Sequence, residues 1–252
     1  MLQQSITRTF WHYSIPAIAA LLISGLYQIV DGAFIGHAMG AEGLSAINMA
    51  WPLSGVLLAV GMMIGMGSGA RCSLAQGEEK IDKARRILMQ VFWLLIAMGI
   101  SVGLCIVYFA PMFMRLQDAS GVIENYGIDY LTIIGISGPI VLGSIAMPLL
   151  VRNLGAPRLA TIAMLTGALL NVLMDYVFII RLGWGLKGAA IGTIISESVA
   201  VIICIGFVFS RYNKLRPQRE HIAFNLRLSL ESLTTGFSSM LMYLYLSVVV
   251  MM

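Results

Sequence analysis

Residues 13–36 read YSIPAIAALLISGLYQIVDGAFIG, and Asp31 is the only charged residue among them. About 20 predominantly apolar residues in helical form cross the ~30 Å hydrocarbon core of a bilayer, so this stretch reads as a transmembrane helix. It is too long for a signal-peptide core and no small-residue cleavage site follows it, so it is expected to be retained. An aspartate inside such a helix is disfavoured by roughly 2.5 to 3.5 kcal/mol on insertion scales, which makes it by default a sign of ion, proton or substrate handling.

The rest of the chain has the same character. Hydrophobic residues make up 59% of 252 and charged residues 11%, against about 25% charged in soluble domains. A water-soluble core is thereby excluded. Further apolar blocks at 46–70, 87–110, 122–148, 159–180 and 186–210 give six complete spans, and a seventh begins near 229. The expected fold is all-α, a polytopic six-helix transmembrane bundle with part of a seventh helix. Open sheet has no place in lipid, and the alternation of an outer-membrane barrel is missing.

Orientation follows from the basic residues. A cytoplasmic N-terminus puts Arg8, Arg71, Lys80, Lys83, Arg85, Arg86, Arg152, Arg158, Arg211, Lys214, Arg216, Arg219 and Arg227 inside, and only Arg115, Arg181 and Lys187 outside. The positive-inside rule selects that arrangement. The net charge of +4 is therefore a matter of topology, and no nucleic-acid partner is implied. The run from Arg211 to Arg227 is a cytoplasmic connector that can also meet anionic head groups.

With this topology the polar residues of separate spans can be compared by depth. Asp31, Asp175 and Thr193 each lie five or six residues to the outer side of their span's midpoint. At about 1.5 Å per residue they share a level roughly 8 to 9 Å above the midplane, with Asn171 and Glu197 near the midplane itself. Tyr27 and Gln28 sit one turn before Asp31, and Asn171 one turn before Asp175. A lone intramembrane Asn, Thr or Tyr is most often interhelical glue worth about 0.6 kcal/mol. Two aspartates in spans that contain no lysine or arginine must instead be protonated, hydrated or bound to a cation, and two carboxylates in low dielectric do not readily both ionise.

Other features carry less. Gly61, Gly65 and Gly69 permit close helix approach. Pro16 and Pro139, the latter after Gly138, should bend their helices. The methionines, Met62, Met63 and Met66 among them, fill gaps or line an adaptable pocket. Cys72, Cys105 and Cys204 are isolated, and His12, His37 and His221 stand apart, so neither a disulfide framework nor a zinc site is suggested. No phosphate loop or nucleophile motif occurs, and no enzyme activity is expected.

Pro16, Tyr27 with QIVDGAFIG at 28–36, Leu44-Ser45-Ala46, Pro52, NVLMD at 171–175 and GLKGAAIGT at 185–193 together resemble the multidrug and toxic compound extrusion transporters. The resemblance implies twelve helices in two six-helix lobes, with residues 1–210 as one lobe, 211–228 as the basic inter-lobe linker and 229–252 as the start of a seventh helix in a truncated chain. It implies antiport at the cell inner membrane, in which Na+ or H+ entry drives export of amphipathic, often cationic, drugs. Asp31, Asn171, Asp175 and Thr193 would form the coupling-cation or proton site, a possible Na+ site, with Tyr27, Gln28 and Glu197 accessory and Pro16 a hinge. No cofactor beyond the coupling ion is implied. The partners would be drugs, membrane lipid and a missing lobe or second copy of the chain. Glu197 departs from the family pattern. The alternatives are a non-transporting truncated protein or assembly partner, a lipid-linked sugar flippase of the same broad superfamily, whose cavity would hold bases rather than acids, and an intramembrane aspartyl protease, whose Gly-x-Gly-Asp turn is absent.

Overall fold

A computed structural model describes residues 6–251 of the chain, and among them helix is the only regular secondary structure. The order is α1 (Ile6–Gly77), α2 (Ile81–Leu116), α3 (Gly121–Ile136), α4 (Gly138–Asn153), α5 (Pro157–Asp175) running into a π-helical turn (Tyr176–Arg181), α6 (Gly185–Val208), a 3-10 turn (Arg219–His221) and α7 (Leu226–Met251). In lipid only helices and closed barrels satisfy every backbone group internally, and this is a polytopic membrane protein of the helical kind. Leu104, Tyr108, Leu169, Ile202 and Tyr245 point outward and exposed, as expected where hydrocarbon is the solvent.

α1 is two arms. Gly40 stands between them at φ 64°, ψ −151°, a conformation open in practice only to glycine. The chain folds back there so that a β-carbon on Gly36 would lie 3.1 Å from Leu44 Cδ1. The apolar part of α1, Gly25–Gly77, has 53 residues, which at 1.5 Å each would reach about 80 Å and far exceeds one bilayer crossing. The expected spans at 13–36 and 46–70 are these arms, and helix continues through residues that the hydropathy pattern left between them.

The fourth span is the pair α3 and α4, bent by 64°. The break falls at Ser137, before Gly138 and Pro139, where the sequence placed a bend. Proline is at home in the first turn of a helix because its missing N–H would have no intrahelical partner there. The elbow is pressed onto α2 through glycines. A β-carbon on Gly135 would fall 2.8 Å from the Gly103 carbonyl oxygen, and one on Gly138 would collide with Gly99.

Gly61, Gly65 and Gly69 pack the second arm of α1 on α4. Added β-carbons at the first two would meet Ile145 at 3.0 Å and the Ala146 Cα at 2.9 Å, and Gly69 abuts Asn153. Gly67, on another face, lets α7 cross at Gly236 with the two backbones touching. The core between the helices holds Leu57, Ile64, Leu88, Ile106, Leu131 and Met147. Of the methionines singled out by sequence, Met63 is buried in that core and Met66 is exposed.

Between α6 and α7 the connector is strapped to α2. The fully buried Gln90 donates to the Ala223 carbonyl at 3.0 Å and accepts from the Asn225 N–H at 2.9 Å. Trp93 Nε1 donates to the Ile222 carbonyl at 2.8 Å. α7 starts at Leu226 rather than near 229 because Asn225 caps it: its Oδ1 accepts the Leu228 N–H at 3.1 Å.

Candidate functional site

Three helices bring the polar residues of separate spans together. α5 carries Asn171 and Asp175 one turn apart, so both point the same way. Both are buried, Asp175 completely. α6 lies against this face because residue 192 is glycine, and a β-carbon there would stand 3.1 Å from Asp175 Oδ1. One residue on, Thr193 Oγ1 accepts a long 3.4 Å hydrogen bond from Asn171 Nδ2. The first arm of α1 completes the site with Asp31, whose carboxyl group lies beside that of Asp175.

The geometry of this pair decides its chemistry. Two ionised carboxylates can only accept, so facing oxygens form a bond only when one carries a proton or a cation lies between them. Among the described residues no other donor reaches them: Asp31 Oδ1, both oxygens of Asp175 and Asn171 Oδ1 are buried without a hydrogen-bond partner. Nor is there a base. Among the described residues neither aspartate takes part in an ion pair, and Lys187, the nearest lysine in sequence, is held 3.1 Å from Asp129. The site thus offers carboxylate, amide and hydroxyl oxygens, the hard donor set of an alkali cation or a proton relay rather than of a transition metal. No group of three or more His, Cys, Asp or Glu with metal-binding arrangement occurs among the described residues.

The accessory residues divide. Tyr27 is half-buried near Asp31 and Glu197, with the exposed Gln28 next to it. Glu197 lies one turn beyond Thr193, with Oε2 buried and unpartnered. The side chain of Pro16, the expected hinge, lies outside the described part of the chain. Ser196, though buried in the same stretch of α6, donates to the Gly192 and Thr193 carbonyls, 2.8 Å each, and is turned away from the acids.

Two members escaped the sequence reading. Tyr130 of α3 is close enough to feel Asp31, Asp175, Glu197 and Tyr27 together, and Ser144 of α4 is within hydrogen-bonding reach of Glu197. The depth comparison could have found Tyr130. It is nine residues from the start of α3 at Gly121, as Asp31 is nine from the turn at Gly40. The helix also changes just past Asp175, where Tyr176–Arg181 is π-helical. Such wide turns gather at functional sites because they displace a side chain from the regular helical row.

Residues 16–177 match the model of the MatE family. The chain is 29% identical over 225 residues, 89% of its length, to the multidrug export protein MepA of Staphylococcus haemolyticus, of which it covers 48%. Among solved structures it resembles an inward-facing multidrug resistance MATE family transporter of the MOP superfamily, with a TM-score of 0.85 at 22% identity over 93% of this chain and 55% of that one. An outward-facing structure carrying the same description gives 0.86. The likeness therefore reports the fold and not a transport state. The chain spans about half the length of the curated relatives it matches.

Proposed function

Because this chain belongs to the MatE family, we propose that residues 1–210 form one lobe of a secondary antiporter exporting amphipathic, often cationic, drugs or toxins in exchange for Na+ or H+. Residues 211–228 are the cytoplasmic connector between lobes, and 229–252 belong to the helix that opens the second lobe. That lobe comes from further polypeptide or from a second copy of the chain. The assembly lies in the cell inner membrane with its N-terminus in the cytoplasm, the orientation in which thirteen of the sixteen lysines and arginines face inward.

One observation carries this reading: the baseless, donor-poor carboxyl pair of Asp31 and Asp175 with Asn171 and Thr193 at its side. Empty and ionised, the pair is disfavoured by desolvation and mutual repulsion. A proton or Na+ neutralises one of the two charges, removes the repulsion between the carboxyls and draws α1 toward α5. Binding and release of the ion therefore bias the relative position of two helices, which is what alternating access requires of a coupling site. For an uncharged drug, one charge moving down 100 mV releases about 2.3 kcal/mol, equivalent to a drug gradient of roughly 50-fold at about 1.4 kcal/mol per decade. A monovalent cationic drug exchanged one for one carries the same charge back, and the ion's concentration gradient drives its export. A lipid-linked sugar flippase would need bases facing pyrophosphate, and this cluster contains none.

Ethidium export by cells expressing the chain with its second lobe tests the proposal. Asp31→Asn and Asp175→Asn should each cut energised export severely while leaving the protein in the membrane. Undiminished export by both variants sinks the site. Proteoliposomes with separately imposed sodium and proton gradients identify the ion.

A further inference from the structure

We propose that Glu197 is a second proton-binding site of this lobe, one helical turn deeper than the Asp31 and Asp175 pair, with Ser144 as the partner of its protonated carboxyl group. The inference rests on the coupling role proposed for the pair and adds a second, separate group to it.

The argument starts from an oxygen with nothing to bind. Glu197 Oε2 is buried and without a partner. The groups facing this carboxyl are Ser144 from α4 and, farther off, Tyr27 from α1 and Tyr130 from α3. No lysine, arginine or histidine is among them. Ser144 has one hydroxyl proton and gives it to the Val141 carbonyl, 2.8 Å away. Its oxygen is then free to accept. A neutral Glu197 can donate its own O–H to that oxygen, which satisfies both groups, whereas an ionised Glu197 gains a donor from Ser144 only if that hydroxyl gives up the Val141 carbonyl.

The same inventory excludes a metal ion. Hard cations take about six oxygen ligands, and one carboxyl with the hydroxyls of Ser144, Tyr27 and Tyr130 falls short of that. A proton needs only two of these oxygens. It comes from water and returns to water, so Glu197 alternates between neutral and singly negative with no other reactant. Its place on α6, about 6 Å along the helix from Thr193, sets it below the pair rather than within it. A lobe built this way can hold Na+ at the aspartates and H+ at Glu197 together, and its export then responds to both gradients.

Infrared spectroscopy of the purified full chain in lipid at neutral pH tests this directly, because the carbonyl band of a protonated carboxylic acid is separate from carboxylate and amide bands. The band should persist in the Asp31→Asn, Asp175→Asn double variant, vanish in Glu197→Gln and shift in Ser144→Ala, which keeps the acid and removes its partner. A band that survives Glu197→Gln and disappears with the aspartates overturns the proposal, as does a wild-type spectrum without the band. Export that ignores the aspartate substitutions would sink the coupling role and leave the Glu197 band unaffected, so the two failures are told apart.

Discussion

Gly192 stands so close to Asp175 that a β-carbon added at 192 would lie 3.1 Å from Asp175 Oδ1 and equally near the β-carbon of Met174. The absence of a side chain on α6 is what gives the acid of α5 its place opposite Asp31. Gly192→Ala should push that carboxyl out of line with Asn171 and Thr193. Overpacking of this kind costs about 1 to 3 kcal/mol, and the coupling ion should bind about tenfold more weakly, a change of about 1.4 kcal/mol. Thermal unfolding in Na+ against choline, and at acid against neutral pH, measures both. The ion-dependent rise in Tm should shrink in the variant, and an unchanged rise would show that Gly192 has no bearing on the site.

The facing carboxyls of Asp31 and Asp175 should behave as one unit. Either asparagine substitution removes the second negative charge on which ion binding depends, so each single variant should lose export by roughly 100-fold, about 2.8 kcal/mol. Removing both should do little further harm, since residues that share one function are strongly non-additive. Initial rates of ethidium export for the two single variants and the double variant complete the cycle. Additive losses would mean that the aspartates work at separate sites.

What the sequence disclosed and what it hid differ for physical reasons. Asp31 and Asp175 were legible because a charge in an apolar span has no structural excuse, and topology puts equal offsets at equal depth. The elbow at Ser137 was legible because Gly138 and Pro139 both break the helical ladder. Tyr130 was hidden because α3 also carries Glu124, Asn125 and Asp129, so a tyrosine in it raises no alarm. Ser144 was hidden because a lone serine in a membrane helix usually bonds its own backbone, as this one also does. The π-helical turn after Asp175 has no sequence signature. Gln90 was overlooked because it lies near the end of its span, where polar residues are ordinary.

That glutamine yields the next expectation. Gln90 is fully buried, bonds both Ala223 and Asn225, and lies 3.3 Å from Ser229 Oγ. Gln90→Leu leaves two backbone groups of the connector without partners, each worth about 1 to 3 kcal/mol when buried, so the connector should lift from α2. Hydrogen exchange at Ile222 to Asn225 should accelerate while the helices around Asp175 keep their protection. Unchanged exchange at those amides would show that Trp93 and its bond to Ile222 hold the segment unaided.

Gly40 should tolerate no other residue, and the manner of failure is diagnostic. Its φ of 64° alone would suit a left-handed helical turn, where asparagine often replaces glycine. Its ψ of −151° moves it to a region that is essentially glycine's own, with about 1 to 3 kcal/mol of strain for any side chain. Gly40→Ala and Gly40→Asn should therefore be equally damaging. Both should tilt the first arm of α1 against the second, separating Gly36 from Leu44, and carry Asp31 away from Asp175 nine residues below the turn. Tm and ion-dependent stabilisation should fall together in both variants. An asparagine variant as stable as the wild type would mean that the turn relaxes to the left-handed helical form, and that the reversal which delivers Asp31 to its partner is set by helix packing rather than by this glycine.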